Sequence, residues 1–124
     1  MADHLFVYGT LRPGDVRWPL LEQFVANEGV DDSAFGRVFD TGLDYPAAVF
    51  GDDGTIRGRT YELRADRRQE ALEVLDIEEE TVAGLYRRVQ ITTVRGTVAW
   101  AYAYGAGLDL SLIPSGDWFD RPGR

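Results

Sequence analysis

Apolar and polar positions alternate in short runs along most of this chain, and glycine, proline or aspartate separates one run from the next. Leu5 to Tyr8 predicts a first strand that stops abruptly at Gly9-Thr10, with Pro13-Gly14 turning the chain just beyond. Trp18 to Val25 carries apolar residues at near-helical spacing, with Pro19 suited to a first turn, and predicts a short helix. Ala34–Asp40 and Ala47–Phe50 predict short strands, separated by Thr41-Gly42 and Tyr45-Pro46. Gly51-Asp52-Asp53-Gly54 predicts a turn into a half-exposed strand, Thr55–Leu63, in which Ile56, Gly58 and Thr60 are mixed with Arg57, Arg59 and Glu62. Asp66 is a candidate N-cap for a helix that buries Ala71, Leu72, Val74 and Leu75 and runs to about Ile77. Tyr86–Val94 and Thr97–Tyr104 flank Arg95-Gly96, the turn chemistry of a hairpin. From Leu108 onward, Pro114, Gly116 and Pro122 predict an irregular tail held down by Trp118 and Phe119.

Strands dominate, short turns join most of them, and two helices are inserted. This predicts a mixed α/β (α+β) fold: a small, mainly antiparallel β-barrel, closed or nearly closed, with short helices outside it and its sheet edges hidden. With 124 residues and no repeat, linker or low-complexity segment, residues 1–124 are expected to form one domain.

The net charge of −8 disfavours phosphate backbones, so no nucleic-acid partner is expected. All 13 basic residues are arginine, which excludes lysine Schiff-base chemistry. No cysteine occurs, which excludes disulfides, thiolate catalysis and cysteine zinc sites. The apolar run near the start is too short for a span or a signal-peptide core, and no basic segment precedes it. No membrane association is expected, and the cytoplasm is the default location. His4 is the only histidine, and Glu-x-x-His and Gly-x-Ser-x-Gly patterns are lacking, so metal hydrolysis and triad chemistry lack their parts and no metal site is expected. Gly105-Ala106-Gly107 lacks the third glycine of a dinucleotide loop, and Asp52-Asp53-Gly54 lacks the alternating ligands of a calcium loop.

Two features are left as candidate chemistry. Gly9 can adopt angles closed to other residues and admits close approach to the main chain, and the N–H groups leaving the strand suit a carboxylate or oxyanion. The run Leu75-Asp76-Ile77-Glu78-Glu79-Glu80 sets several carboxylates at a helix C-terminus, the end that disfavours anions. It is either a solvated acidic loop or the source of one glutamate turned inward as a general base.

Three pieces taken together resemble the gamma-glutamylcyclotransferase (AIG2-like) family: Tyr8-Gly9-Thr10-Leu11-Arg12-x-Gly14, Leu75-Asp76-x-x-Glu79, and Tyr86-Arg87-Arg88 followed by the Trp100–Tyr104 strand. Their order and spacing match from about Leu5 to Asp120, and Ser115–Asp120 is similar to the ending of small bacterial members. The resemblance implies a barrel-centred fold whose pocket is formed by the first-strand loop and closed by the glutamate. It also implies an enzyme that cyclises a gamma-glutamyl amine or amino acid to 5-oxoproline without a cofactor, a transferase- or lyase-type reaction on a small-molecule substrate. By the same resemblance, the amides around Gly9, Thr10 and Leu11 hold the glutamyl group, Glu79 moves the protons, and Tyr8 and Tyr86 line the pocket. Both tyrosines also fit a barrel core, and Arg12 fits either a substrate carboxylate or a surface turn. An apolar residue is usual just before the family glutamate; here Glu78 stands there, so a one-residue slip with Ile77 in the apolar place makes Glu78 the base. A non-catalytic protein that binds a small carboxylate metabolite is the alternative. The leaving group and the oligomeric state are left open.

Overall fold

The computed structural model describes residues 3–9, 18–41, 46–78, 86–104 and 111–120, with the side chains at positions 52, 53 and 78 outside the description. Six strands, β1 (His4–Val7), β2 (Val30–Asp40), β3 (Pro46–Glu62), β4 (Tyr86–Thr92), β5 (Val98–Tyr104) and β6 (Ser111–Leu112), form one sheet. Helix α1 (Trp18–Glu22) lies between β1 and β2, helix α2 (Arg68–Glu78) follows β3, and a short 3₁₀ turn covers Trp118–Asp120. The strand order is β4-β5-β1-β3-β2-β6, antiparallel except for the parallel β1–β5 pair. Among the described residues, no helix is long and apolar enough to cross a membrane.

Alternation along β1 sorts its side chains onto two covered faces. Phe6 and Tyr8 join Ala34, Val38, Ala48, Ile56, Ala99, Ala101, Ile113 and Trp118 in one buried cluster, the interior of the curled sheet. Leu5 and Val7 join Leu21, Phe24, Tyr61, Leu63, Ala71, Leu72 and Leu75 in the other, beneath the two helices. In α2, Ala71, Leu72 and Leu75 share one face, as the apolar spacing predicts. Each large side chain buried there contributes roughly 1.5–3 kcal/mol, so the helices are held by packing more than by propensity.

The sheet curls until β4 meets the β2–β3 hairpin. At one end the Val94 amide donates to the Ser33 carbonyl at 2.7 Å, and at the other the Tyr86 hydroxyl donates to the Pro46 carbonyl at 2.5 Å. The result is a nearly closed barrel of mixed sheet with few short helices, the predicted architecture. Asp32, buried at one end of this seam, accepts from the Ser33 amide at 2.7 Å, the Thr60 hydroxyl at 3.0 Å and the Arg95 amide at 3.3 Å.

Several elements differ from their predicted form. Gly51-Asp52-Asp53-Gly54 does not lie between two elements: β3 is one 17-residue strand. The register on β2 passes from Phe35↔Thr55 to Gly36↔Phe50, so these four residues are an excursion within the strand, and the chain does not reverse. Gly36, opposite the excursion, has φ +148°, and a Cβ there would stand 2.4 Å from the Val49 carbonyl oxygen. Helix α1 stops at Glu22, and Val25 instead bridges Leu63 as an isolated pair. Helix α2 begins at Arg68, and the Arg67 carbonyl accepts its first helical bond, from Ala71 at 2.9 Å. Asp66 therefore precedes the capping position. The tail is less irregular than predicted, because Ser111–Leu112 adds to the edge of β2, while Trp118 is buried as predicted.

Asp32→Ala removes the shared acceptor of three donors at the barrel seam, and is expected to cost about 1–3 kcal/mol. Urea unfolding measures this; a midpoint equal to that of the unaltered protein shows that Asp32 does not hold the seam.

Candidate functional site

Strands β1 and β5 run parallel, so both point their C-terminal ends at the same rim of the barrel. Tyr8 follows β1 and turns its ring inward, 6.4 Å from Phe6 and 6.1 Å from Phe50 between centroids. Its hydroxyl donates to the main-chain carbonyl of Tyr102 on β5. Gly9 comes next. It does not occupy the left-handed region; what restricts the position is Pro46, whose Cδ would stand 3.1 Å from a Cβ at residue 9. The glycine is thus explained by close approach of another chain segment rather than by special backbone angles. Pro46 is gripped from a second side, since its carbonyl is the acceptor for the buried Tyr86 hydroxyl. Tyr8, Gly9 and Tyr86 therefore gather at one rim through shared neighbours. Both phenol hydroxyls donate to main-chain carbonyls, which fixes the rings.

The same rim meets the end of α2. The Tyr102 hydroxyl donates to Asp76 Oδ1 at 2.7 Å, and Arg88 Nε lies 3.4 Å from the same oxygen. Arg88 also lies 4.7 Å over the Trp100 ring, which orients its guanidinium by stacking. Arg88 and Tyr102 can both reach the helix because they are directly paired across β4 and β5. Ile77, next on the helix, is 74% exposed. The resolved pKa shifts lie at the other end of α2. A hydrogen bond from Arg67 holds the Glu70 carboxyl below its ordinary value, and the same bond raises the Arg67 guanidinium.

Thr10, Leu11, Arg12 and Glu79 lie outside the described residues, and Glu78 is the last residue of α2, its side chain also outside the description. Asp76, Arg88 and Tyr102 stand inside the motifs but received no role from the sequence. The hairpin hides their meeting: a two-residue Arg95-Gly96 loop would set Arg88 opposite Ala103. The actual loop, with Thr93 N–H donating to the Thr97 carbonyl at 2.8 Å, sets it opposite Tyr102. One residue of register moves Arg88 between those partners. A groove of about 670 Å³ lined by Asp31, Arg57, Arg95 and Asp117 lies at the opposite end of β4; it takes in part of the Ser115–Asp120 ending and no residue of the three motifs.

The chain is similar to proteins already known. The family described as gamma-glutamyl cyclotransferase, AIG2-like, matches residues 5–120. The gamma-glutamylcyclotransferase family protein ytfP of Citrobacter rodentium is 34% identical over 120 residues, covering 94% of this chain and 96% of the relative. A Halalkalibacterium halodurans protein, whose name assigns it provisionally as a gamma-glutamylcyclotransferase, is 33% identical over 89 residues, 69% of this chain and 80% of its own length. A crystal structure of an uncharacterised protein from Pyrococcus horikoshii superposes with a TM-score of 0.70 at 27% identity, covering 94% of this chain and 90% of that one.

Tyr86→Phe keeps the ring and removes the donor to the buried Pro46 carbonyl, at an expected cost of about 1–3 kcal/mol. Thermal unfolding checks it; an unshifted Tm places the grip on Pro46 elsewhere.

Proposed function

We propose that this chain, which belongs to the gamma-glutamyl cyclotransferase (AIG2-like) family, cyclises a gamma-glutamyl amine or gamma-glutamyl amino acid to 5-oxoproline and releases the attached amine. The observation that carries this reading is the convergence of the three motif segments. Tyr102 accepts from Tyr8 through its main-chain carbonyl and donates to Asp76 through its hydroxyl, while Arg88 pairs with the same carboxylate. The end of β1 and the end of α2, far apart in sequence, are thereby linked through Tyr102.

In the proposed reaction, the substrate's α-nitrogen attacks its own side-chain carbonyl carbon. The lactam C–N bond forms and the C–N bond to the leaving amine breaks. Two protons leave the α-ammonium and two are gained by the departing nitrogen, so neither water nor an oxidant is consumed. The attack is intramolecular, so the protein's task is to fold the substrate into near-attack geometry and to move protons. Amides around Gly9, Thr10 and Leu11 hold the glutamyl group and the charge that develops on its carbonyl oxygen. Glu79 takes a proton from the ammonium and returns one to the leaving nitrogen. Tyr8 and Tyr86 line the pocket. The exposure of Ile77 favours Glu79 over Glu78 as the base, because the alternative alignment requires Ile77 in an apolar place.

Mass-spectrometric detection of 5-oxoproline from a panel of gamma-glutamyl amines and amino acids tests the reading. Glu79→Gln is expected to lower product formation by about 10²-fold or more while leaving the unfolding midpoint unchanged. Full activity in Glu79→Gln with loss in Glu78→Gln transfers the role to Glu78, and activity in both removes carboxylate catalysis. Saturable thermal stabilisation by glutamate with no product from any substrate establishes a binding protein instead.

A further inference from the structure

We propose that Asp76 is a positioning residue for the proposed reaction, tying to β5 the last turn of α2, from which the acid three residues further on follows in the chain. The proposal deepens the cyclotransferase reading and rests on it for its catalytic readout. Its basis is what fixes, and what does not fix, the end of that helix. Leu75 is the last buried side chain of α2 among the described residues. Ile77 is exposed, and the last turn contains no basic residue. The last carbonyls of a helix have no partner within it, so its end is held by what packs against it or bonds to it. Asp76 makes two such contacts, accepting from the Tyr102 hydroxyl at 2.7 Å and pairing with Arg88 at 3.4 Å. Neither partner is loose. Arg88 stacks on Trp100, and Tyr102 is buried with its carbonyl bonded by Tyr8.

Covalent reach completes the argument. Three residues of chain span at most about 11 Å, so the point at which α2 is fixed bears on whatever soon follows it in sequence. Fixing Asp76 against Tyr102 holds that point beside β5, at the residue whose carbonyl accepts from Tyr8. Misplacement on the order of an ångström at a reacting centre costs about a hundredfold in rate, so a weak tether can carry a large kinetic effect.

The test compares Tyr102→Phe, Asp76→Asn, Arg88→Lys and Arg88→Ala in steady-state 5-oxoproline formation, alongside hydrogen exchange of the amides of residues 75–78. Tyr102→Phe and Asp76→Asn are each expected to lower kcat tenfold to a hundredfold, on the order of the misplacement penalty, with KM within about twofold. Their double variant should be no slower than the slower single one, and Arg88→Lys should recover most of what Arg88→Ala loses. Tyr102→Phe should also speed exchange of the 75–78 amides while β1 and β3 keep their protection. An active protein whose kcat is unmoved by Tyr102→Phe overturns the proposal, as does unchanged exchange of those amides. If Asp76→Asn fails to fold, Tyr102→Phe decides alone. If no variant and not the parent forms 5-oxoproline, the cyclotransferase reading fails and hydrogen exchange decides the tether. If Glu79→Gln stays active, the base assignment fails and the catalytic part of the proposal fails with it, while hydrogen exchange decides the tether.

Discussion

Strand β1 has only four residues, yet it lies between β3 and β5 with both of its faces covered, and the rest of the structure is arranged around that constraint. A strand covered on both sides must read as nearly continuous apolar sequence, and Leu-Phe-Val-Tyr does. Its two faces separate the molecule into a barrel interior closed by Trp118 and an outer layer closed by two helices. The interior is narrow. Ala34, Ala48, Ala99 and Ala101 all lie in it, and small side chains on several strands let the sheet curl tightly around the larger Phe6, Tyr8 and Trp118. Because β1 is parallel to β5 and antiparallel to β3, its C-terminal end is placed beside the end of one neighbour while β3 continues past it.

Closure costs polar burial, and the barrel meets that cost with main-chain hydrogen bonds supplemented by a few side chains. Asp32 serves the seam at one end, and Tyr86 serves it at the other. Neither interaction is an ion pair, which suits a low-dielectric seam: neutral donors to a carboxylate or carbonyl avoid the desolvation of a second charge. Described ion pairs such as Arg59–Asp31 and Arg67–Glu70 are instead surface features, where solvent screening leaves each worth little.

Much of this was legible in the sequence, and the failures have specific causes. Strand β1, helix α2 and the β4–β5 hairpin follow from periodicity because each buries a regular face. The Gly51–Gly54 segment carries turn chemistry, and it does leave the ladder there. What its residues cannot express is that both flanking halves pair with the same strand, a tertiary fact decided by β2. The first-helix boundary was overextended because Val25, apolar at helical spacing, gains more from bridging Leu63. Gly9 was legible as special, though for a different reason: its restriction comes from Pro46, which no local reading connects to residue 9. Of the site, Tyr8, Gly9 and Tyr86 do share a rim. The partnership of Asp76 with Arg88 and Tyr102 was hidden by one residue of hairpin register, since a slip of one exchanges the faces of a whole strand.

That partnership also resolves an electrostatic difficulty in the acidic run. A helix C-terminus carries the negative end of the macrodipole, and carboxylates there oppose it by about 0.3–1 kcal/mol each when exposed. The usual remedy is a basic residue in the last turn, which α2 lacks. Arg88 supplies the cation from β4 instead, across the sheet rather than along the helix. The difference is mechanical as well as electrostatic. A lysine or arginine on the helix itself would satisfy the dipole while leaving the helix free to shift as a body. A cation borrowed from a strand, fixed in turn by Trp100, neutralises the same field only when the helix end occupies one place. A helix end that its own carboxylate would otherwise weaken is thereby tied to the barrel through Asp76.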